Sequence, residues 1–125
     1  MIDYAASAAR LMRAYNDKDF DALKAAMAPD ITMAHYNRGA FFNRADELID
    51  VIRAFAADIM PDRQFLPPER VLVCGNVVVR EAYWTGTPTQ DIPGFGTKGE
   101  TIRFRLCSVM TFNEQGILID WKDHG

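Results

Sequence analysis

A chain of 125 residues with 49% hydrophobic and 25% charged side chains can build one core, read as a single domain over residues 1–125. It is too short for a dinucleotide-binding domain joined to a second substrate domain. Its 14 Lys and Arg stand against 17 Asp and Glu, a net charge of −3. The nearest approach to a basic cluster is Arg103 with Arg105, so the charge that nucleic-acid binding needs is missing and no nucleic-acid partner is expected.

The apolar runs are only a few residues long and the segment MIDYAASAARLMR carries charges, so neither a membrane partner nor a signal peptide is expected and the reading is a cytoplasmic protein. Cys74 and Cys107 lack C-x-x-C spacing and read as buried, reduced thiols. His35 and His124 are the only histidines and show no ligand spacing, so no metal and no cofactor are expected.

Tyr4, Ala8, Leu11, Met12 and Tyr15 recur at helical spacing and predict a helix over 3–15 that Asn16 and Asp17 interrupt. A short second helix follows, capped by Asp19, with Phe20, Leu23 and Met27 as its stripe and Ala28-Pro29 as its stop. Residues 31–36, ITMAHY, alternate as a strand with Ile31, Met33 and His35 on one face, and the polar turn NRG comes next. Asn43 is placed to cap a third helix, whose stripe is Leu48, Ile52, Phe55 and Ile59 and whose end is Pro61.

After Pro67-Pro68 the period changes to two. RVLVC, NVVVREAYWTGT, TIRFRLCSVMTF and ILIDWKD are separated by turn-forming segments and predict a meandering antiparallel sheet. Helices first and strands after indicate an α+β domain with the helices on one sheet face. Between the second and third of these strands, GFGTKG at 94–99 matches G-x-G-x-x-G. That motif holds a pyrophosphate only when a helix starts directly after it, and here the alternating strand Thr101-Ile102-Arg103-Phe104-Arg105 follows. The glycines therefore read as a hairpin loop at a pocket rim.

The element order, together with a strand ending in T-G-T, a Pro-Gly loop, a G-x-x-I strand, and F-N-x-x-G-I followed by Trp and Asp, resembles the SnoaL-like and limonene-epoxide-hydrolase-like branch of the nuclear transport factor 2-like superfamily. The resemblance covers nearly the whole chain. It implies a cone of three N-terminal helices packed on a curved, mixed, mostly antiparallel sheet around an apolar pocket, and a homodimer formed through the sheet. Arg103 and Arg105, opposite in parity to Ile102, Phe104 and Leu106, fall on the outer face or the dimer surface.

By alternation, Ile119, Trp121 and Asp123 share one face of the last strand. W-K-D resembles the W-R-D of the epoxide hydrolases, which makes Asp123 the first candidate acid/base; desolvation beside an indole would raise its pKa toward neutrality. The alternative is a solvated carboxylate. His35 is a candidate to orient a water or carbonyl or to share protons with Asp123, and equally a histidine satisfied by a backbone carbonyl.

Val79, Glu81 and Tyr83 share one face of their strand and Arg80, Ala82 and Trp84 the other. Aligned with the epoxide hydrolases, Glu81 and Tyr83 fall where that family has an essential Arg and a second Asp, and Met33 replaces its water-holding Tyr. The strict hydrolase mechanism is therefore disfavoured, while Asp123, His35, Tyr83 and Glu81 remain a candidate acid/base set, Glu81 alternatively pairing with an arginine across strands.

Tyr15, Met33, Phe55, Ile59, Phe104, Leu106 and Trp121 are the expected walls. The expected function is cofactor-independent acid/base chemistry, an aldol-type cyclisation or an isomerisation, on a hydrophobic carbonyl-bearing or polycyclic small molecule. The rivals are an epoxide hydrolase or dehydratase in the same pocket and a non-catalytic ligand-binding or dimerisation domain.

Overall fold

The computed structural model describes residues 1–125. Asp3 caps the first helix, α1 (Tyr4–Asp17), by accepting the Ala6 N–H at 3.0 Å, and left-handed Lys18 (φ 57°) ends it. Asn16 and Asp17 thus continue the helix rather than interrupt it. Asp19 caps α2 (Phe20–Ala25) through the Ala22 N–H, as its sequence position predicts.

Met27, expected on that helix, instead opens strand β1 (Met27–His35). Pro29 drives the residue before it into extended backbone, so the strand starts four residues ahead of ITMAHY. A 3₁₀ turn, Tyr36–Arg38, and left-handed Gly39 (φ 63°) then reverse the chain into β2 (Ala40–Phe42), a strand too short to show a period. Helix α3 (Ala45–Ala54) has Arg44, not Asn43, at its cap position, with Asp46 and Glu47 in the first turn as expected; it runs on into a π-helical turn, Phe55–Ile59.

The remaining strands are β3 (Gln64–Phe65), β4 (Arg70–Cys74), β5 (Val77–Gly86), β6 (Ile102–Phe112) and β7 (Leu118–His124). They complete a sheet ordered β2-β1-β7-β6-β5-β3, with β4 also on β5. Only β1 and β7 pair in parallel, so the fold is α+β: three helices packed on a mixed, mostly antiparallel sheet. Residues 94–99 lie in the loop between β5 and β6, and a strand, not a helix, follows them. Cys74 is exposed and Cys107 half-buried, both free, which corrects the reading of two buried thiols: β4 pairs only with β5 at the sheet margin and is exposed along its whole length.

Strand register arranges the inner sheet face in rows. Met33, Trp121, Met110 and Val78 form one apolar row, and Phe104 with Trp84 begin another. Between them runs a polar row, His35, Asp123, Ser108 and Arg80, each side by side with the next. Strand parity near Ile119 departs from strict alternation. A bulge between Leu118 and Asp120 turns Ile119 out to 37% exposure and buries Leu118 with Trp121 and Asp123.

Asn16 ties α1 to the sheet. Its Nδ2 donates to the Phe65 carbonyl at 2.9 Å and its Oδ1 accepts the Phe65 N–H at 2.8 Å, so one side-chain amide stands in for a neighbouring strand beside β3. Asn16→Ala strands two backbone groups in a half-buried place, and a loss of about 1–3 kcal/mol in urea unfolding is the expected outcome. An unchanged midpoint would show that water satisfies Phe65 equally well.

Candidate active site

A cavity of about 240 Å³ opens between the inner sheet face and α1 and α3. Tyr15, Met33, Phe55, Phe104, Leu106 and Trp121 are among its walls. The rim carries Arg38, from the 3₁₀ turn, and Phe95, from the β5–β6 loop, with the guanidinium carbon 3.8 Å above the ring centre.

Asp123 lies in that cavity at 2% exposure, because the parallel register of β1 and β7 sets it beside His35 and the antiparallel register of β6 sets it beside Ser108. Its Oδ1 accepts from the Ser108 hydroxyl at 2.6 Å and from the Trp121 indole N–H at 2.7 Å. Its Oδ2 faces His35 Nε2 at 4.0 Å, beyond hydrogen-bond length but inside ion-pair range. Burial raises the Asp123 pKa above the usual carboxylate range; the Ser108 bond, the His35 charge and the Trp121 bond pull the other way without cancelling it. One oxygen is thus held by two donors and the other is left for proton transfer. His35 Nδ1 is buried without a partner, so no neighbour locks the imidazole into one tautomer.

Tyr15 stands on the helix side. Its hydroxyl accepts the Trp84 indole N–H at 3.0 Å, leaving its own proton to donate. Burial pushes the phenol up, only partly offset by Arg63, so it is a neutral donor. Arg63, 2% exposed, lays its guanidinium 3.7 Å from the Tyr15 ring centre and donates from Nη1 to the Tyr15 carbonyl at 2.6 Å. Its Nε and Nη2 have no partner.

Three expected site residues lie elsewhere. Glu81 pairs with Arg70, and Tyr83 lies under Arg103, 3.8 Å from ring centre to guanidinium carbon, and accepts from Arg105 Nη2 at 3.1 Å. Both are on the outer face. The β5–β6 register joins Tyr83 to Arg105 and Ala82 to Leu106, so the face that carries the arginines must carry Tyr83 and Glu81, and Trp84 takes the inner position. Ile59 does not line the cavity: the π-helical turn adds a residue to the helical period and rotates it off the stripe of Leu48, Ile52 and Phe55.

Sequence reasoning missed Ser108, Tyr15 as a polar group, Arg38, Arg63 and Phe95. Ser108 had a signal, being the one polar residue among Leu106, Met110 and Phe112 on its strand face. The others come from loops and a helix whose approach to the sheet has no local signature. No group of three or more His, Cys, Asp or Glu is placed to hold a metal ion, and no helix is long and apolar enough to cross a membrane.

The sequence model of the SnoaL-like domain matches residues 8–121. No curated protein matches the chain. Among solved structures, a candidate polyketide cyclase from Xanthomonas campestris is similar with a TM-score of 0.83 at 17% identity, covering 98% of this chain and 89% of that one. An NTF2-like protein of unknown function from Burkholderia pseudomallei has a TM-score of 0.79 at 20% identity, over 99% of this chain and 91% of that one. An LEH-like epoxide hydrolase from M. tuberculosis has a TM-score of 0.74 at 16% identity, over 96% and 80%. At these identities the likeness is one of fold.

Proposed function

The chain belongs to the SnoaL-like domain family, and from the chemistry of its own cavity we propose that it is a cofactor-independent acid/base enzyme acting on a small, apolar, carbonyl-bearing molecule. Asp123 removes a proton from the carbon beside the carbonyl, His35 exchanges that proton with Asp123 or substrate, and the Tyr15 hydroxyl donates to the oxygen on which enolate charge develops. The enolate then closes a ring by aldol-type attack or is reprotonated at another carbon. The observation that carries this reading is the buried Asp123, with one oxygen clamped and the other facing His35 in an apolar cavity.

The volume narrows the substrate. About 240 Å³ is below the span of about 300–1,000 Å³ usual for ligand pockets, so the enclosed part takes a one- or two-ring body and anything larger extends through the mouth. Hydrolysis of an epoxide or a dehydration would call for a water held between Asp123 and a second acid. Asp123 is the only carboxylate lining the cavity.

The test is solvent exchange. Incubated in D₂O with 2-tetralone and with a 5-ene-3-oxo steroid, the protein is expected to speed deuterium uptake at the carbon beside the carbonyl, read by NMR. Uptake at the buffer rate for a panel of enolisable ketones that demonstrably bind would overturn the reading and favour a binding domain.

We further propose a homodimer, supported by β4, which pairs only with β5 and exposes Val71, Leu72 and Val73 at 39%, 52% and 50%. The outer face beside it is occupied by the Tyr83, Arg105 and Glu69 network, so Arg103 and Arg105 flank this contact rather than form its apolar centre. Light scattering at tens of micromolar, roughly the range where such dimers persist, should give twice the chain mass, and Leu72→Asp should halve it. A wild-type monomer would refute the proposal.

A further inference from the structure

We propose that Arg38 anchors a carboxylate at the mouth of the cavity, so that the substrate is an apolar acid whose charged end stays at the rim while its ring body enters. The inference rests on the reading of this cavity as the substrate site and adds the chemical class of the ligand.

The Arg38 side chain makes no hydrogen bond to the protein and no ion pair, and of the arginines without an acidic partner only Arg38 and Arg63 line the cavity. It lines the cavity with its guanidinium over Phe95, which removes part of its hydration with no carboxylate in return. A cation stacked on an aromatic ring keeps its in-plane N–H donors free, and those donors fit the two oxygens of a carboxylate. The geometry thus presents a bidentate donor at the rim of an apolar hole.

A second observation points the same way. The wall runs without a break from Arg38 over Phe95, to Trp84 at 6.1 Å, to the Tyr15 hydroxyl on the Trp84 indole, to Arg63 against the Tyr15 ring. This aromatic wall has a cation at each end. Arg63 is 2% exposed, has two nitrogens without partners and has no acidic neighbour in contact. The lining therefore holds two arginines against one carboxylate, an excess of positive charge in a low-dielectric hollow that favours an anionic guest. Arg63 is the deep cation, committed to the Tyr15 carbonyl; Arg38 is the one a ligand meets at the entrance.

Titration calorimetry with 2-naphthoate and with the neutral 2-acetylnaphthalene, which share the ring body, tests the assignment on the intact protein. Wild type should bind naphthoate at least about tenfold more tightly, the usual scale of one charge-assisted pair. Arg38→Met, which keeps an apolar cover over Phe95, should reduce that preference to within about twofold and leave the neutral probe unchanged; Arg38→Lys should restore part of it. Equal binding of the two probes by wild type, or a preference that survives Arg38→Met, overturns the anchor while leaving the catalytic reading standing. Binding of neither probe also overturns the anchor, and ketone exchange in D₂O then reports on the catalytic reading alone.

Discussion

Asp123→Asn should slow α-proton exchange of a bound ketone by about 10²-fold or more while leaving the fold intact, the scale on which a positioned general base acts. The variant is close to isosteric. Its Oδ1 can still accept from Ser108 and from the Trp121 indole N–H, since both donors meet that one oxygen; the new amide takes the place of Oδ2 opposite His35. Activity and stability should move in opposite directions. Burial holds the folded-state pKa of Asp123 above its ordinary value of 3.8, so the carboxyl's contribution to stability is fully present below 3.8 and is lost as pH rises through the raised value. Asn has nothing to ionise. The melting temperature of Asp123→Asn should therefore exceed that of wild type by a margin that grows with pH through that window and vanishes in acid. Full exchange activity in the variant would remove Asp123 from the chemistry, and a melting difference independent of pH would show that burial does not raise its carboxyl pKa.

Trp121 separates structure from catalysis at one position. It is 2% exposed and sits in the apolar row beside Met33 and Met110, so Trp121→Ala opens a large cavity and should cost about 3–5 kcal/mol in denaturant unfolding. Trp121→Phe keeps most of the ring and deletes the N–H that Asp123 Oδ1 accepts. Losing a donor to the charged form pushes the Asp123 carboxyl further up, so the acid limb of the pH–rate profile should move to higher pH. A profile that stays in place in Trp121→Phe would mean that the indole only fills space. Ser108→Ala, which removes the other donor, is expected to shift the same limb in the same direction.

The sheet and helix content were legible because each depends on a short-range rule. Period two in Val77–Gly86 and Ile102–Phe112, Asp19 at a helix cap, and the strand after Gly99 are local statements about backbone and alternation. Alternation also grouped Glu81 with Tyr83 and Arg80 with Trp84 correctly, because side chains on a strand cannot do otherwise. Which group faces the core is a different kind of fact. It depends on what covers each face, and only the pairing of Tyr83 with Arg105 and the packing of Tyr15 against Trp84 decide it. A bulge at Ile119 and a π-helical turn at Phe55–Ile59 defeat any fixed period, since each adds one residue to a count that must stay in step.

The cavity belongs wholly to tertiary structure. His35, Ser108 and Asp123 come from three strands joined by register, Tyr15 and Arg63 from a helix and a loop, and Arg38 and Phe95 from two turns that meet at the rim. The sequence by itself determined that this chain builds three helices on a mostly antiparallel sheet and carries Asp123 next to an indole. Folding decided that this carboxylate is buried and clamped by Ser108, that Glu81 and Tyr83 are outside, and that two arginines line the cavity. The reason is physical: periodicity reports what a residue shares a face with, whereas desolvation and charge pairing depend on atoms that come close only when distant segments of the chain pack.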